Sequence, residues 1–421
     1  MNTPYMPRVI DEFISEKMEY AGAVLIEGVK WCGKTRTAKE KASSVVSLQD
    51  SKNAGSYQRL ASTDPSILLE GDTPRLIDEW QTVPDIWNAV KYEVDERGRP
   101  GQFILAGSAA PPDDPFRHSG AGRISRVIMR PMSLFESNES NGSVTMRNLF
   151  ERKEKIRGRS ELTVKKLSSA LIRGGWPAMM NMTEKASMGM IRDYVESVVN
   201  TDLSKADGIQ RSPTAVYQLL RSLSRNVSTS ANMSTIRKDM AGDDDKISEK
   251  TVSSYISALR RIFVIEDAPA WNPSTRSKTA VRESPKRHFV DPSIAAAVMQ
   301  MSPQGLLDDL NTFGFLFESL CVRDLRVYSQ ALGGEVSHYR DSYGLEADAI
   351  VHLRDGRWGA VEVKMGSKEI EDGAKNLRKL KDTVDTERMR QPSFLMILTA
   401  TEYASEDEDG VLTVPIGCLR N

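Results

Sequence analysis

The run Gly28-Val29-Lys30-Trp31-Cys32-Gly33-Lys34-Thr35 is an unbroken G-x-x-x-x-G-K-[ST] pattern, and it constrains the fold more than any other part of the chain. It follows the apolar run Ala23–Ile26 and leads into the helix-compatible TRTAKEKAS. A loop placed between strand and helix in this way closes around a phosphate chain. The glycines let backbone N–H groups converge on phosphate oxygens, and the helix start adds partial positive charge. Lys34 is expected to reach the β- and γ-phosphates, and Thr35 to offer its hydroxyl to magnesium. ATP and Mg2+ are therefore the expected ligands, held by Gly28, Gly33, Lys34 and Thr35.

A second element agrees with the first. Arg75-Leu76-Ile77-Asp78-Glu79-Trp80 puts two carboxylates at the end of a short apolar strand. At that distance beyond a phosphate loop, Asp78 is expected to hold the magnesium shell and Glu79 to polarise the attacking water. Two further positions carry two readings each. Ser108, at the end of the apolar Phe103–Ala106 strand, either senses the γ-phosphate or is a plain strand-to-turn serine. Arg123, in the glycine-rich SGAGRIS, is either an arginine finger for a neighbouring subunit, which implies a homo-oligomer, or a surface arginine.

Short apolar runs at Ala23–Ile26, Ser44–Leu48, Arg75–Ile77, Phe103–Ala106 and Arg126–Met129 alternate with helix-compatible stretches. That is the texture of a parallel α/β sheet. Residues 1–145 are taken as this nucleotide-binding domain, closed by the turn cluster Ser137–Ser143. Residues 146–300 read as helical, with Arg147–Lys166 as a solvated helix surface. Ser248-Glu249-Lys250 opens a helix, Thr251–Arg261, that runs into IFVIEDAPAW, the order of a winged helix-turn-helix. Residues 301–421 read as a second α/β domain. Its expected elements are a helix at Gly314–Asp324, strands near Glu335–Tyr339, Glu346–Leu353 and Trp358–Val363, a helix at Glu369–Leu380 and a strand at Ser393–Leu398.

The 57 basic residues balance 58 acidic ones, which argues against a bulk polycation but leaves room for a local basic groove. Three scattered cysteines suit a reducing cytoplasm. No apolar run approaches the ~20 residues needed to cross a bilayer, so no membrane is expected as a partner.

In the last domain, Glu318 … Glu346-Ala347-Asp348 … Glu362-Val363-Lys364 forms a constellation. Glu362 and Lys364 lie two apart on a strand and share a face. With Asp348 on the preceding strand they make a PD-(D/E)XK arrangement. Asp348 and Glu362 are then the expected magnesium ligands, Lys364 positions or deprotonates water, and Glu318 completes the shell. Lys364, Lys368, Lys375, Arg378, Lys379 and Lys381 offer a basic face for nucleic acid, DNA ahead of RNA. The same residues also suit a merely solvated helix.

Together these motifs, with RVID at Arg8–Asp11, LIDEW, LAGS, RPMSLFE at Arg130–Glu136, Gly174-Gly175-Trp176-Pro177, Tyr194 with Thr201-Asp202-Leu203, and Pro285-Lys286…Phe289-Val290-Asp291, resemble a group of bacterial and archaeal AAA-type ATPases. That group carries a C-terminal domain similar to the restriction-endonuclease fold and of uncharacterised function. The resemblance spans nearly the whole chain and implies ATP binding more strongly than any biological role. The Tyr339-Arg340-Asp341 segment departs from the group's pattern by one residue of spacing. Two readings stay open: an ATP-regulated nuclease, or a nucleotide-switched module that binds DNA or protein without cutting.

Overall fold

The computed structural model describes residues 4–108, 120–241, 247–271, 284–385, 387 and 389–421. The chain divides into two compact units, Met1–Pro131 with Arg261–Phe263, and Met132–Arg260 with Val264–Asn421.

The first unit runs α1 (Ile10–Tyr20), β1 (Ala23–Glu27), α2 (Lys34–Lys41), β2 (Ser44–Ser47), α3 (Ala54–Thr63), β3 (Arg75–Asp78), α4 (Ile86–Arg97), β4 (Phe103–Gly107) and β5 (Ile124–Ile128). The five strands form one parallel sheet in the order β2-β3-β4-β1-β5. β1 and β4 are buried along their whole length, so they read as unbroken apolar runs rather than alternating ones. One face packs Leu25, Leu105 and Phe103 against Trp80, Trp87 and Val90. Because every strand is parallel, the loops that leave the sheet at Gly28, Glu79, Ser108 and Met129 share one edge. The α/β expectation holds, and all five strands fall where the apolar runs lie.

The second unit begins β6 (Val144–Thr145), α5 (Met146–Glu151), β7 (Gly158–Arg159), α6 (Val164–Arg173), α7 (Glu184–Ser197), α8 (Leu203–Lys205), α9 (Pro213–Arg225), α10 (Met233–Ala241) and α11 (Glu249–Arg261). There follow β8 (Ile265–Ala268), β9 (Lys286–Phe289), α12 (Pro292–Val298), α13 (Pro303–Asp308), α14 (Leu310–Ala331), β10 (Gly334–Arg340), β11 (Glu346–Leu353), β12 (Trp358–Lys364), α15 (Ile370–Thr383), β13 (Phe394–Thr399), β14 (Tyr403–Glu406), β15 (Val411–Pro415) and β16 (Leu419–Arg420). Seven strands form a mixed sheet, β10-β11-β12-β13-β15-β14-β7. β12, β13 and β15 are parallel, while β10 and β11 form an antiparallel hairpin. α15 covers one face through Ala374, Leu377 and Leu380, against Ile350, Ala360, Leu395 and Ile397.

The structure differs from three expectations. The compact unit that carries the phosphate loop runs to Pro131, where the domain was expected to run to residue 145. The turn cluster Ser137–Ser143 belongs to the second unit, where Ser140 Oγ donates to the Leu419 carbonyl and the Asn141 amide to that of Gly417. Arg147–Lys166 is no single helix: it holds α5 and the edge strand β7, whose Arg159 pairs with Glu402 at 2.7 Å. A solvated charged stretch and a charged edge strand look alike in sequence, because edge strands also use charge to discourage pairing. The Ser248 cap is present, its Oγ accepting from the Thr251 amide at 3.1 Å. α9, α10 and α11 then precede the antiparallel pair β8–β9, and residues 272–283 between those strands lie outside the described residues.

Candidate functional site

The phosphate loop departs from β1 with Gly28 at φ 152°. A Cβ there would stand 2.1 Å from the Met129 carbonyl oxygen, so only glycine fits. Gly33, at φ 105°, closes the loop as the N-cap of α2. The helix then presents its unpaired amide end to the loop. Lys34 is the first residue of that helix and is 5% exposed. Its Nζ donates to the carbonyls of Gly28 (2.9 Å) and Val29 (2.8 Å), which holds the ammonium across the loop mouth.

Thr35 Oγ1 donates to Asp78 Oδ1 at 2.8 Å. A hydroxyl and a carboxylate in contact are hard oxygen donors of the kind Mg2+ takes, so these residues fit the ion. β4 lies between β1 and β3, which brings Ser108, half-buried, to the same sheet edge between the loop and Asp78. Glu79 follows Asp78 in the left-handed region, at φ 55°. That conformation costs a non-glycine residue on the order of 1 kcal/mol and is kept where the surroundings demand it. Gln81 Nε2 donates to Glu79 Oε2 at 2.6 Å and fixes the carboxylate.

Arg123 is placed otherwise. Its carbonyl accepts from the Ala23 amide at the start of β1, the sheet edge opposite the phosphate loop and about 16 Å from it at ~3.3 Å per residue. Both oxygens of Asp95 accept from Arg123 Nε at 2.7 Å. Arg123 therefore cannot serve the phosphate site of its own chain; a finger role would require a neighbouring subunit and an opened Asp95 pair.

Two participants were missed. Arg8, from the RVID run, donates to the Cys32 carbonyl (2.7 Å) and to the Arg130 carbonyl (2.8 Å), bracing the outer wall of the loop. Glu27, directly before Gly28, is 6% exposed, and burial pushes its carboxyl up, opposed by Arg126. A strand-end acid beside a loop motif was the available signal for Glu27.

In the second unit Glu318, Asp348, Glu362 and Lys364 do come together. Asp348 Oδ2 accepts from the Val363 amide at 2.9 Å, and Lys364 Nζ lies 3.0 Å from Glu362 Oε2. A residue absent from the expected set stands at the centre. Lys286, at the start of β9, places Nζ 3.1 Å from Glu318 Oε1 and 2.9 Å from Asp348 Oδ1, and is 6% exposed. Burial acts against the charge of Lys286, yet Asp348 and Glu318 hold its pKa above the usual lysine range. Burial is the largest influence on Asp348 and acts to raise it, but Lys286, the Val363 amide and Lys364 together hold the acid low. Burial, with the Asp348 charge, pushes Glu318 up to about 8, and the same two causes raise Glu362.

Among the described residues no three His, Cys, Asp or Glu side chains converge as a metal centre would require. Where Glu318 was expected to complete a metal shell, Lys286 Nζ stands between it and Asp348. The group opens on a cleft of about 890 Å³ whose walls include Phe315, Lys364, Lys368 and Glu369. The basic face is also smaller than expected, because Arg378 is engaged by Glu371, Asp407 and Asp409 at 3.1 Å each and Lys375 pairs with Asp372 at 3.6 Å. Arg340 pairs across the hairpin with Glu346 at 3.2 Å, and Asp341 accepts from the Tyr343 and Leu345 amides of the turn. Among the described residues no helix is long and apolar enough to cross a membrane.

Residues 21–138 match the family described as AAA domain. Residues 164–305 and 313–419 match two families described as domains of unknown function, DUF8612 and DUF4143. Uncharacterized proteins of Mycobacterium tuberculosis and Mycobacterium bovis are each 22% identical over 355 residues, covering 82% of this chain and 71% of theirs. A Walker-type ATPase of Pyrococcus abyssi aligns at 14% identity and a TM-score of 0.43, over 71% of this chain and 99% of its own. The N-terminal unit carries an AAA-type P-loop ATPase domain.

Proposed function

We propose that the chain hydrolyses ATP at the Gly28–Thr35 loop and uses the nucleotide state to control a C-terminal domain that acts on nucleic acid, DNA ahead of RNA. The observation that supports the first half is the 2.8 Å contact of Thr35 with Asp78, which joins the loop motif to the strand-end acid in one cation-ready pair. When bound, Mg2+ would neutralise charge on the β- and γ-phosphates. The chain's own residues do the rest. Loop amides and Lys34 hold the phosphates, and Glu79, steadied by Gln81, takes a proton from the attacking water.

Glu79→Gln keeps the shape and loses the base. Nucleotide affinity should stay within a few-fold of the parent, while turnover falls about 10²–10⁴-fold. Phosphate release measured beside binding calorimetry checks this, and parent-like turnover would move water activation to another group.

For the second half, the order α14, β10, β11, β12, α15, β13 fits a restriction-endonuclease-like domain, and α9–α11 with β8–β9 fit a winged helix. Asp348 and Glu362 supply oxygen donors, and Lys364 stands beside them at the cleft. This reading has the domain cut phosphodiesters with magnesium. Asp348→Asn and Lys364→Ala should each remove Mg2+-dependent cleavage of DNA and leave ATP turnover as in the parent. The assay uses single- and double-stranded DNA and RNA, with ATP and with a non-hydrolysable analogue. If none is cut, the domain binds without cutting, the reading that Lys286, seated among the acids, favours.

A further inference from the structure

The cleavage reading needs a divalent cation among Glu318, Asp348 and Glu362, yet a positive charge already stands there. Lys286 Nζ touches Glu318 Oε1 at 3.1 Å and Asp348 Oδ1 at 2.9 Å. Two carboxylate oxygens about 3 Å from one cationic centre resemble half of a hard-cation shell, stretched from the ~2.0–2.6 Å of Mg2+ or Ca2+ to hydrogen-bond length. The lysine is only 6% exposed, so this is no loose surface pair. It comes from far along the chain, 32 residues before Glu318 and 62 before Asp348. Its strand, β9, pairs with β8 and not with the seven-stranded sheet. The acids and the cation thus sit on different elements, and any shift of the β8–β9 ribbon against α14 and β11 alters their contact.

A second observation stands beside the first. His338, on β10, is 1% exposed, and neither ring nitrogen makes a hydrogen bond of normal geometry, the Ser284 carbonyl offering only a looser approach. Lys286 and Asp348 are among the charges that act on it. A buried imidazole without a normal partner is rare in a folded core.

We propose that Lys286 is a built-in cation that competes with a divalent metal ion for the Glu318–Asp348 carboxylate pair, so that this pair takes up metal only when the lysine charge is withdrawn. The inference rests on the reading of Asp348 as a metal ligand. It adds that the site is closed to metal by the chain's own ammonium group, through the ribbon that carries it. A lysine and a divalent ion cannot share the pair, because both need the same inward oxygens and would repel at that range.

The test is Mn2+ uptake by the full-length chain without nucleotide, read by loss of the free-ion paramagnetic resonance signal. Lys286→Met keeps the length and removes the charge. It should bind one more Mn2+ per chain than the parent, or bind at least tenfold more tightly. Lys286→Arg keeps the charge and should behave as the parent. Adding Asp348→Asn to Lys286→Met should abolish the gain. A folded Lys286→Met protein with parent-like uptake overturns the proposal. If Lys286→Met folds poorly, Lys286→Gln is read in the same way, and Mn2+ should raise its melting temperature by several degrees and leave that of the parent unchanged. An unchanged melting temperature in the variant is equally an overturning result. Cleavage separates this inference from the reading beneath it. A parent that cuts DNA while Lys286→Met gains no metal sinks the competition and keeps the nuclease. A variant that gains metal while neither chain cuts keeps the competition and sinks the nuclease.

Discussion

The Lys34→Ala chain should release phosphate from ATP about 10²–10³-fold more slowly than the parent, the loss typical when one preorganised charge or donor is taken from a developing anion. Lys34 does two jobs at once. Its ammonium bonds the Gly28 and Val29 carbonyls, which keeps it across the loop mouth before any nucleotide arrives. It is also the one side-chain cation inside the motif positioned to meet the β- and γ-phosphates. Alanine keeps the first turn of α2, since it is the best helix former, so the fold should survive. Removing the charge leaves the phosphates to the backbone amides alone, and nucleotide affinity should also weaken. Phosphate release and calorimetric nucleotide binding on the same preparation check both effects. The control is Lys39→Ala, exposed in the last turn of the same helix, which should leave turnover unchanged. Equal turnover in Lys34→Ala and parent would mean that hydrolysis occurs elsewhere or comes from a contaminant.

The two α/β sheets were readable because their central strands are short apolar runs bounded by turns, a local signal. Ala23–Glu27, Arg75–Asp78 and Phe103–Gly107 follow that signal to within a residue, as do Glu346–Leu353 and Trp358–Lys364. What local pattern cannot carry is a partner far along the chain. β6 pairs with β16 and β7 with β14, each two to four residues long and more than 240 residues apart in sequence. Hence local pattern did not reveal that the segment after Pro131 packs in the second compact unit. The acids of the last domain were legible because Glu362 and Lys364 share a strand face by parity. Lys286 was not, because KRHF shows three polar side chains in a row, and only the fold reveals that all four positions are buried. Arg123 was placed correctly before a strand, but which sheet edge that strand start occupies depends on every strand being parallel.

Several motifs without a catalytic role meet at one buried guanidinium, and removing it should produce the largest stability loss in the chain. Arg323 on α14 donates to Asp291 Oδ2 at 2.8 Å and, through Nε and Nη2, to Asp324 Oδ1 at 2.9 and 2.7 Å. Both carboxylates are fully buried. The carboxylates are tied further: Asp324 Oδ2 accepts from the Leu134 amide at 3.0 Å, Asp291 Oδ1 from the Ser293 amide at 3.0 Å, and Asp291 Oδ2, shared with Arg323, from the Gly175 amide at 3.0 Å. The SLFE, GGWP and FVD segments are thus tied through one arginine. A bare count of ion pairs would rate this node weakly, since buried pairs repay their desolvation only in part. Breaking one differs, because Arg323→Met strands two carboxylates in a dry core. The expected cost is about 3–5 kcal/mol, which for a unit of this size lowers the melting temperature by roughly 6–15 °C.

The pH dependence gives the sign. Burial already raises the Asp324 carboxyl, with Arg323 the first influence opposing it, so removing the arginine raises that acid further above its unfolded value. A raised acid costs stability once pH exceeds its unfolded pKa of about 3.9, so the variant should be closer to the parent at pH 5 than at pH 8. Adding Asp324→Asn, which keeps an acceptor for the Leu134 amide, should recover part of the loss, with a coupling of about 1–3 kcal/mol. Arg357→Met serves as control: its exposed pair with Asp355 is worth about 0–1 kcal/mol. Calorimetric melting of the four chains at both pH values decides. An Arg323→Met transition within a degree or two of the parent at pH 8 would show that the segments are held by apolar packing alone, with the arginine incidental to the junction.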